Sequence, residues 1–166
     1  MNEPHRATVL VSILGAVAVT LYAAWAAVQI LVLNPLAAVP GSSLAEINGA
    51  MVASGEAVNL MAPLVVLGIG PALAIAAAWV CVANRVPPIV AVSGPLALLI
   101  LGAPGYFVAS FGPGMALADT FLISGGNHSP WYLPLYAVSA LAFVAVIIVT
   151  ARAVASARTQ PEPVTI

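Results

Sequence analysis

Four stretches of this sequence are apolar enough, and long enough, to cross a lipid bilayer as helices. They run from about 7 to 33, 59 to 83, 88 to 111 and 131 to 151, and none of them contains a charged residue. The hydrocarbon core of a bilayer is about 30 Å thick, which takes roughly 20 apolar residues in a helix. The sequence therefore predicts an all-α integral membrane protein in which four transmembrane helices form one bundle.

The composition excludes a soluble fold. Of the 166 residues, 63% are hydrophobic and 5% are charged, and the mean hydropathy is +1.13. A soluble domain carries about 25% charged residues, and a small domain cannot bury so much apolar surface in its own core. We expect a single membrane domain over residues 1–166, in which 152–166 form a short cytoplasmic tail.

The first apolar run could be mistaken for a secretory signal peptide, because it lies near the N-terminus and follows an arginine. The apolar region of a signal peptide is about 7–15 residues long. The run from 7 to 33 is nearly twice that length. We therefore predict that it is retained as the first transmembrane helix.

Basic residues occupy only one side of the predicted bundle and set its orientation. With four spans, one side holds every basic residue of the chain, namely Arg6, Arg85, Arg152 and Arg158. The two connections on the other side carry only acidic charges, namely Glu46, Glu56 and Asp119. Because basic connections stay in the cytoplasm, we predict that both termini are cytoplasmic. Lysine is absent and alanine and valine are abundant, which favours a high-GC bacterium and its inner, cytoplasmic membrane.

The first outer connection contains the start signal of a helix. Ser43 and Glu46 have the spacing of a capping box, in which each side chain bonds the backbone N–H of the other residue. The apolar residues that follow recur at helical spacing. We predict a short amphipathic helix over about 44–55 in this outer loop. Residues 112–130 are rich in glycine and proline at both ends and are predicted to form the second outer loop.

Small residues recur every four positions in the first two spans. Helices in lipid associate by close packing at such residues. The rows predicted to pack against other helices are Ser12, Ala16, Thr20 and Ala24 in the first span, and Gly68, Ala72 and Ala76 in the second. A neighbouring row in the second span contains Gly70, Ala74 and Ala78. Whether a given row joins helices of one chain or of two chains stays open at this stage.

The sequence offers few groups for chemistry. An ionisable side chain inside the bilayer is costly and usually functional, and none of the four runs contains one at mid-depth. A cation site in the outer loops would have to use Glu46, Glu56, Asp119 and His128, but their spacing matches no metal motif. The only cysteine, Cys81, cannot form an intramolecular disulfide and is interpreted as a packing residue. We predict no catalytic residue, no cofactor and no metal.

These features favour a non-enzymatic accessory or scaffold subunit of a larger membrane assembly. Such a subunit would dock through the small-residue faces of its helices and through its outer loops. The alternative is a small oligomeric transporter or channel, whose path would form between copies, and a membrane enzyme fits less well. The expected partners are the lipid bilayer and either other membrane subunits or further copies of the chain. Nucleic acid is not expected, because the chain has no basic tract.

Overall fold

A computed structural model describes residues 3–56, 59 and 61–158 of the chain. Within this part the regular structure is helical, without a strand. Four helical segments are long and apolar enough to cross a membrane, namely His5–Ala38, Met61–Ala83, Pro88–Phe121 and Pro130–Arg152. The four spans predicted from the sequence are therefore confirmed as helices, and the protein is membrane-embedded. Residues 159–166 of the predicted tail lie outside the described residues.

The described part of the chain contains seven α-helices. The first long segment consists of α1 (Glu3–Val28), a π-helical turn (Gln29–Leu33) and α2 (Asn34–Ala38). The short helix α3 (Leu44–Ala53) precedes α4 (Met61–Ala83). The third segment is α5 (Pro88–Ile100) followed by α6 (Gly102–Phe121), and a 3-10 turn (Pro130–Tyr132) leads into α7 (Leu133–Arg158).

Helix α1 lies at the centre of the bundle, packed on α4 and α5, while α7 packs on α5 and α4 packs on α6. Its inward face follows the helical repeat and consists of Thr8, Ser12, Val19, Tyr22 and Ala26, and the π-helical turn extends this face with Gln29 and Ile30. The main apolar core joins part of this face to the other helices through Leu67, Tyr106, Ala109 and Leu135. The core is small because most apolar side chains of a membrane protein face lipid.

Two glycines allow the closest helix approaches. A Cβ atom on Gly15 of α1 would lie 2.3 Å from Cγ of Pro95 in α5. A Cβ atom on Gly102 of α6 would lie 2.6 Å from Cζ of Tyr22 in α1. Small residues permit close backbone approach in the same way in other membrane helices. These two contacts fix how α1 lies against the α5–α6 segment.

Hydrogen bonds define the two ends of the bundle. At one end, Oγ1 of Thr8 donates to the carbonyl oxygen of Val86 at 2.7 Å, which joins the start of α1 to the α4–α5 link. This end, which carries Arg6 and Arg85, is called the arginine end. At the other end, Nε1 of Trp25 donates to the carbonyl oxygen of Trp131 at 3.1 Å.

The end opposite the arginine end carries a cap, defined as α2, α3 and residues 113–130. Two spans continue into this cap further than predicted. The first was expected to end at 33 and the third at 111, but their helices continue to Ala38 and Phe121. Each segment is 34 residues long, or about 51 Å at 1.5 Å per residue, so each exceeds a bilayer core of about 30 Å by roughly 20 Å.

Prolines that follow the predicted ends of the first and third spans do not end these helices. Pro35 occupies the first turn of α2, where a missing N–H costs little. The π-helical turn before it provides a bond from the Asn34 N–H to the Gln29 carbonyl. Pro113 lies inside α6 and is buried, and the helix beyond it packs Ala116 and Leu117 against α3. Tertiary packing therefore outweighs the local turn signals at 112–114, and the part of the predicted loop from 112 to 121 is helical instead.

Candidate functional site

The four residues considered for a cation site are distributed over the cap without forming a cluster. Glu46 and Asp119 are exposed, while Glu56 and His128 are partly buried. The His128 ring bonds through Nε2 to the Ser124 carbonyl oxygen at 2.8 Å. Among residues 3–56, 59 and 61–158, no group of three or more His, Cys, Asp or Glu side chains could hold a metal ion. These residues are therefore not brought together as a cation site.

Glu46 instead fixes the start of α3. Its Oε2 atom accepts hydrogen bonds from the backbone N–H and the hydroxyl of Ser43 at 2.7 and 2.8 Å. The Glu46 N–H in turn donates to Oγ of Ser43 at 3.3 Å, which completes the capping box. The bonds from the Ser43 backbone and side chain hold the pKa of Glu46 below its usual range. This carboxylate therefore acts locally, on its own helix.

Helix α3 is held on α6 by a second, smaller apolar core. Ile47 and Met51 of α3 are buried against Ala116 and Leu117 of α6. Beside this core, the hydroxyl groups of Ser54 and Thr120 form a hydrogen bond of 2.9 Å. The cap is therefore an ordered surface, in which α3 packs on the part of α6 that follows Pro113.

A buried polar cluster joins the cap to the bundle. Oδ1 of Asn34 accepts the backbone N–H groups of His128 and Ser129 at 2.7 and 3.4 Å. Nε2 of Gln29, in the π-helical turn, donates to the Ser129 carbonyl at 3.3 Å. The Tyr106 hydroxyl donates to Oδ1 of Asn127. These bonds hold the segment after α6 against the first span, because buried backbone groups need partners.

The sequence signals this cluster only in part. The sequence predicts a loop over residues 112–130, which contains Asn127, His128 and Ser129, but nothing in the spacing of these residues connects them with Gln29. Gln29 is 0% exposed, and its Oε1 atom has no hydrogen-bond partner in the structure. A π-helical turn often marks a functional position. Here the π-helical turn directs the side-chain amide of Gln29 into the core, where the amide bonds the loop at Ser129.

Aromatic rings surround the polar cluster. The ring of Trp25 meets that of Trp131 edge-on, with centroids 5.8 Å apart. Tyr136 makes edge contacts with Tyr106 at 6.0 Å and with Tyr132 at 5.8 Å. Tryptophan and tyrosine favour the interfacial depth of a bilayer. The rings therefore form an aromatic layer beside the polar cluster, in the half of the bundle next to the cap.

The cap exposes large apolar side chains. Leu122, just after α6, is 91% exposed and has a left-handed backbone with φ of 54°. Val52 of α3 is 65% exposed. Each lies two residues from a member of the Ser54–Thr120 bond. A left-handed leucine is costly, and such outliers persist where the surroundings impose them.

The predicted small-residue rows differ in their placement. Of the row on α1, Ser12 is buried and Ala16 partly buried, while Thr20 and Ala24 are exposed. Gly68, Ala72 and Ala76 are all exposed on α4. The neighbouring row faces inward, with Ala74 buried and Gly70 and Ala78 partly buried. The row of Gly68 is thus turned away from the rest of the chain, and its role in contacts with other molecules stays a prediction.

The residues predicted to set the topology lie on the outside of the bundle. Arg6, Arg85 and Arg152 are exposed, and Arg85 has a positive φ of 52° in the α4–α5 link. Arg158 belongs to the last turn of α7, but its side chain lies outside the described residues. Cys81, on the last turns of α4, is partly buried and reduced.

Comparison with known proteins finds no relative of this chain. No family model matches it, and neither a curated protein nor a solved structure is significantly similar to it.

Proposed function

We propose that this protein is a non-enzymatic accessory or scaffold subunit of a larger assembly in the cytoplasmic membrane of a bacterium. In this proposal both termini and the α4–α5 link are cytoplasmic, and the cap projects on the outer side. The partner is another membrane subunit that contacts the cap. With the arginine end in the cytoplasm, this orientation agrees with the positive-inside rule.

The observation that carries the proposal is the apolar surface of the cap around Leu122. The two 34-residue segments are longer than a bilayer core requires, and in this proposal the tip of α6 projects beyond the lipid, so that lipid does not cover its apolar side chains. Leu122 is both exposed and held in an unfavourable backbone conformation. A contact that buries Leu122 and Val52 would offset both costs, since burying a leucine or valine side chain contributes about 1.5–3 kcal/mol.

The construction of the cap supports the same function. The α3–α6 core, the capping box and the Asn34 bonds give the cap a defined shape before any partner binds. A rigid surface lowers the entropic cost of association. The cap therefore has the properties of a preformed docking surface.

Site-specific photocrosslinking in native membranes tests the proposal. A benzophenone amino acid replaces Leu122 in one variant and Leu141 in a control, since Leu141 is 68% exposed on the transmembrane part of α7. We expect a discrete heterologous crosslink from position 122 and none from position 141. A crosslink only between copies of the chain would favour the oligomeric transporter, and lipid adducts alone from position 122 would refute docking through the cap.

A further inference from the structure

A continuous groove runs along α4 and the α5–α6 segment, from the cap into the bundle. Its upper part is a cleft of about 280 Å³ with Glu56 and Asn59 at its rim. Its lower part is an apolar cavity of about 330 Å³. Val66 and Val108 line both parts, so the cleft opens directly into the cavity.

The lower groove opens sideways towards the lipid. Its rim residues Ile69, Leu101 and Val108 are 54–60% exposed. The cavity occurs where proline and glycine interrupt both walls, at Gly70-Pro71 of α4 and at the α5–α6 junction. Breaks of this kind bend helices, and the bends leave a space between them that no side chain of the described chain fills.

Glycines keep one wall of the groove open. A Cβ atom on Gly105 or on Gly112 of α6 would meet nothing within 4 Å. The two glycines lie seven residues apart, so they share a face of the helix. They differ from Gly15 and Gly102, where a Cβ would collide with another helix. At Gly105 and Gly112 the missing side chain leaves room for a molecule from outside the chain.

Two local structures place polar groups over this apolar channel. Helix α3 ends in a Schellman-type turn, with Gly55 at φ of 84° and the Glu56 N–H bonded to the Met51 carbonyl at 2.8 Å. Asn59 caps α4, since its Oδ1 accepts the Met61 N–H at 3.0 Å. Glu56 and Asn59 are therefore held at the upper rim of the groove by the backbone around them.

The length of the groove matches one leaflet of a bilayer. On α4 its lining extends from Ala62 to Leu73, which is about 16 Å at 1.5 Å per residue. Half of a hydrocarbon core is about 15 Å. A polar rim above an apolar channel of this length fits a lipid, with its headgroup at Glu56 and an acyl chain below.

The charges select among headgroups. Glu56 is the only charged residue among the described residues that line the two parts of the groove, and no lysine or arginine occurs between residues 7 and 84 or between 86 and 151. A headgroup with only negative charge has no basic side chain to pair with here, whereas an ammonium group can pair with Glu56. We propose that this groove binds one phospholipid whose headgroup carries a primary ammonium, placed beside Glu56, with an acyl chain along Gly105 and Gly112.

Native mass spectrometry of the purified full-length protein tests this, with an equimolar mixture of phosphatidylethanolamine and phosphatidylglycerol as the probe. Wild type should retain phosphatidylethanolamine about two- to fivefold more than phosphatidylglycerol, the range expected of a partly solvated ion pair. Glu56→Gln should remove this preference while lipid still binds. Its control is Glu46→Gln, which keeps a capping box and should behave as wild type.

Blocking the channel tests the acyl-chain site separately. Gly105→Leu should lower the retention of both lipids at least threefold, and Gly112→Leu replaces it if the first variant does not fold. The matched control is Gly68→Leu, because Gly68 also has nothing within 4 Å of a Cβ but is not part of the groove. Equal retention of the two lipids by wild type, an unchanged preference in Glu56→Gln, or unchanged retention in the channel variant would each overturn the proposal. Displacement of a co-purifying protein, rather than of lipid, by Gly105→Leu would also overturn it.

Discussion

Replacement of Gly15 by alanine should strongly destabilise the bundle, although alanine is the better helix former. The added Cβ would lie 2.3 Å from Cγ and 2.7 Å from Cβ of Pro95. Ordinary carbon–carbon contacts are about 3.5–4.0 Å, so the overlap exceeds 1 Å. The Pro95 ring cannot rotate away, because it is closed onto the backbone of α5. Overpacking of this kind costs about 1–3 kcal/mol or more.

The matched control is Gly68→Ala in α4. A Cβ atom there meets nothing within 4 Å, so the variant should gain the helix-propensity difference of up to about 1 kcal/mol. Both variants gain the same helix propensity, so we expect Gly15→Ala to be less stable than Gly68→Ala by the overpacking cost, about 1–3 kcal/mol. The measurement is reversible unfolding of the purified protein in mixed micelles, followed by circular dichroism.

A double-mutant cycle identifies the cause. Pro95→Ala removes the ring that Gly15→Ala would strike, so the double variant should recover at least half of the loss. If Gly15→Ala is as stable as Gly68→Ala, or if Pro95→Ala gives no recovery, then α1 does not approach α5 as described and the reasoning is refuted.

Three further predictions concern the cap and the orientation. Asn34→Ala removes the acceptor of the His128 and Ser129 backbone N–H groups, and since an unsatisfied buried donor costs about 1–3 kcal/mol, amide exchange at residues 128 and 129 should quicken at least about fivefold; unchanged exchange would contradict the bonds described. The hydrogen bonds that lower the pKa of Glu46 stabilise α3 fully at a pH above the ordinary value of 4.5, and progressively less as the pH falls below it. Amide-exchange protection of α3 should therefore decrease below pH 4.5 in wild type, and much less in Ser43→Ala. In a Cys81→Ser background, cysteine at position 85 should react with an impermeant maleimide only after lysis, and cysteine at position 52 in intact cells; the reverse pattern would show the opposite orientation.

The sequence predicts the transmembrane helices well because their determinant is local. A long run without charge, such as that from 131 to 151, has few alternatives in lipid, since every backbone group must be bonded within the segment. The N-cap of α3 was also predictable, because Ser43 and Glu46 interact over three residues. Both predictions depend on residues close in the chain.

The extent of the cap and its polar cluster depend on distant residues, so the sequence did not indicate them. Pro113 reads as a break, but the burial of Leu117 against Ile47 of α3 keeps α6 helical beyond it. Likewise, Asn34 and Ser129 lie 95 positions apart, and no local pattern connects an amide with a backbone N–H at that distance. The same limit applies to the groove, whose rim at Glu56 and wall at Gly105 meet only in the folded chain.

Five of the helical glycines of this protein separate into two groups that no sequence pattern distinguishes. Gly15 and Gly102 are sites where another helix of the same chain occupies the place of a side chain. Gly68, Gly105 and Gly112 leave that place open. In lipid, close packing at small residues stabilises helix association, so the open glycines are candidate positions for contacts with molecules outside the chain. For Gly105 and Gly112 the polar rim above them points to a lipid. The small-residue row of Gly68, Ala72 and Ala76 has no such rim, and its contact with another protein helix stays a prediction.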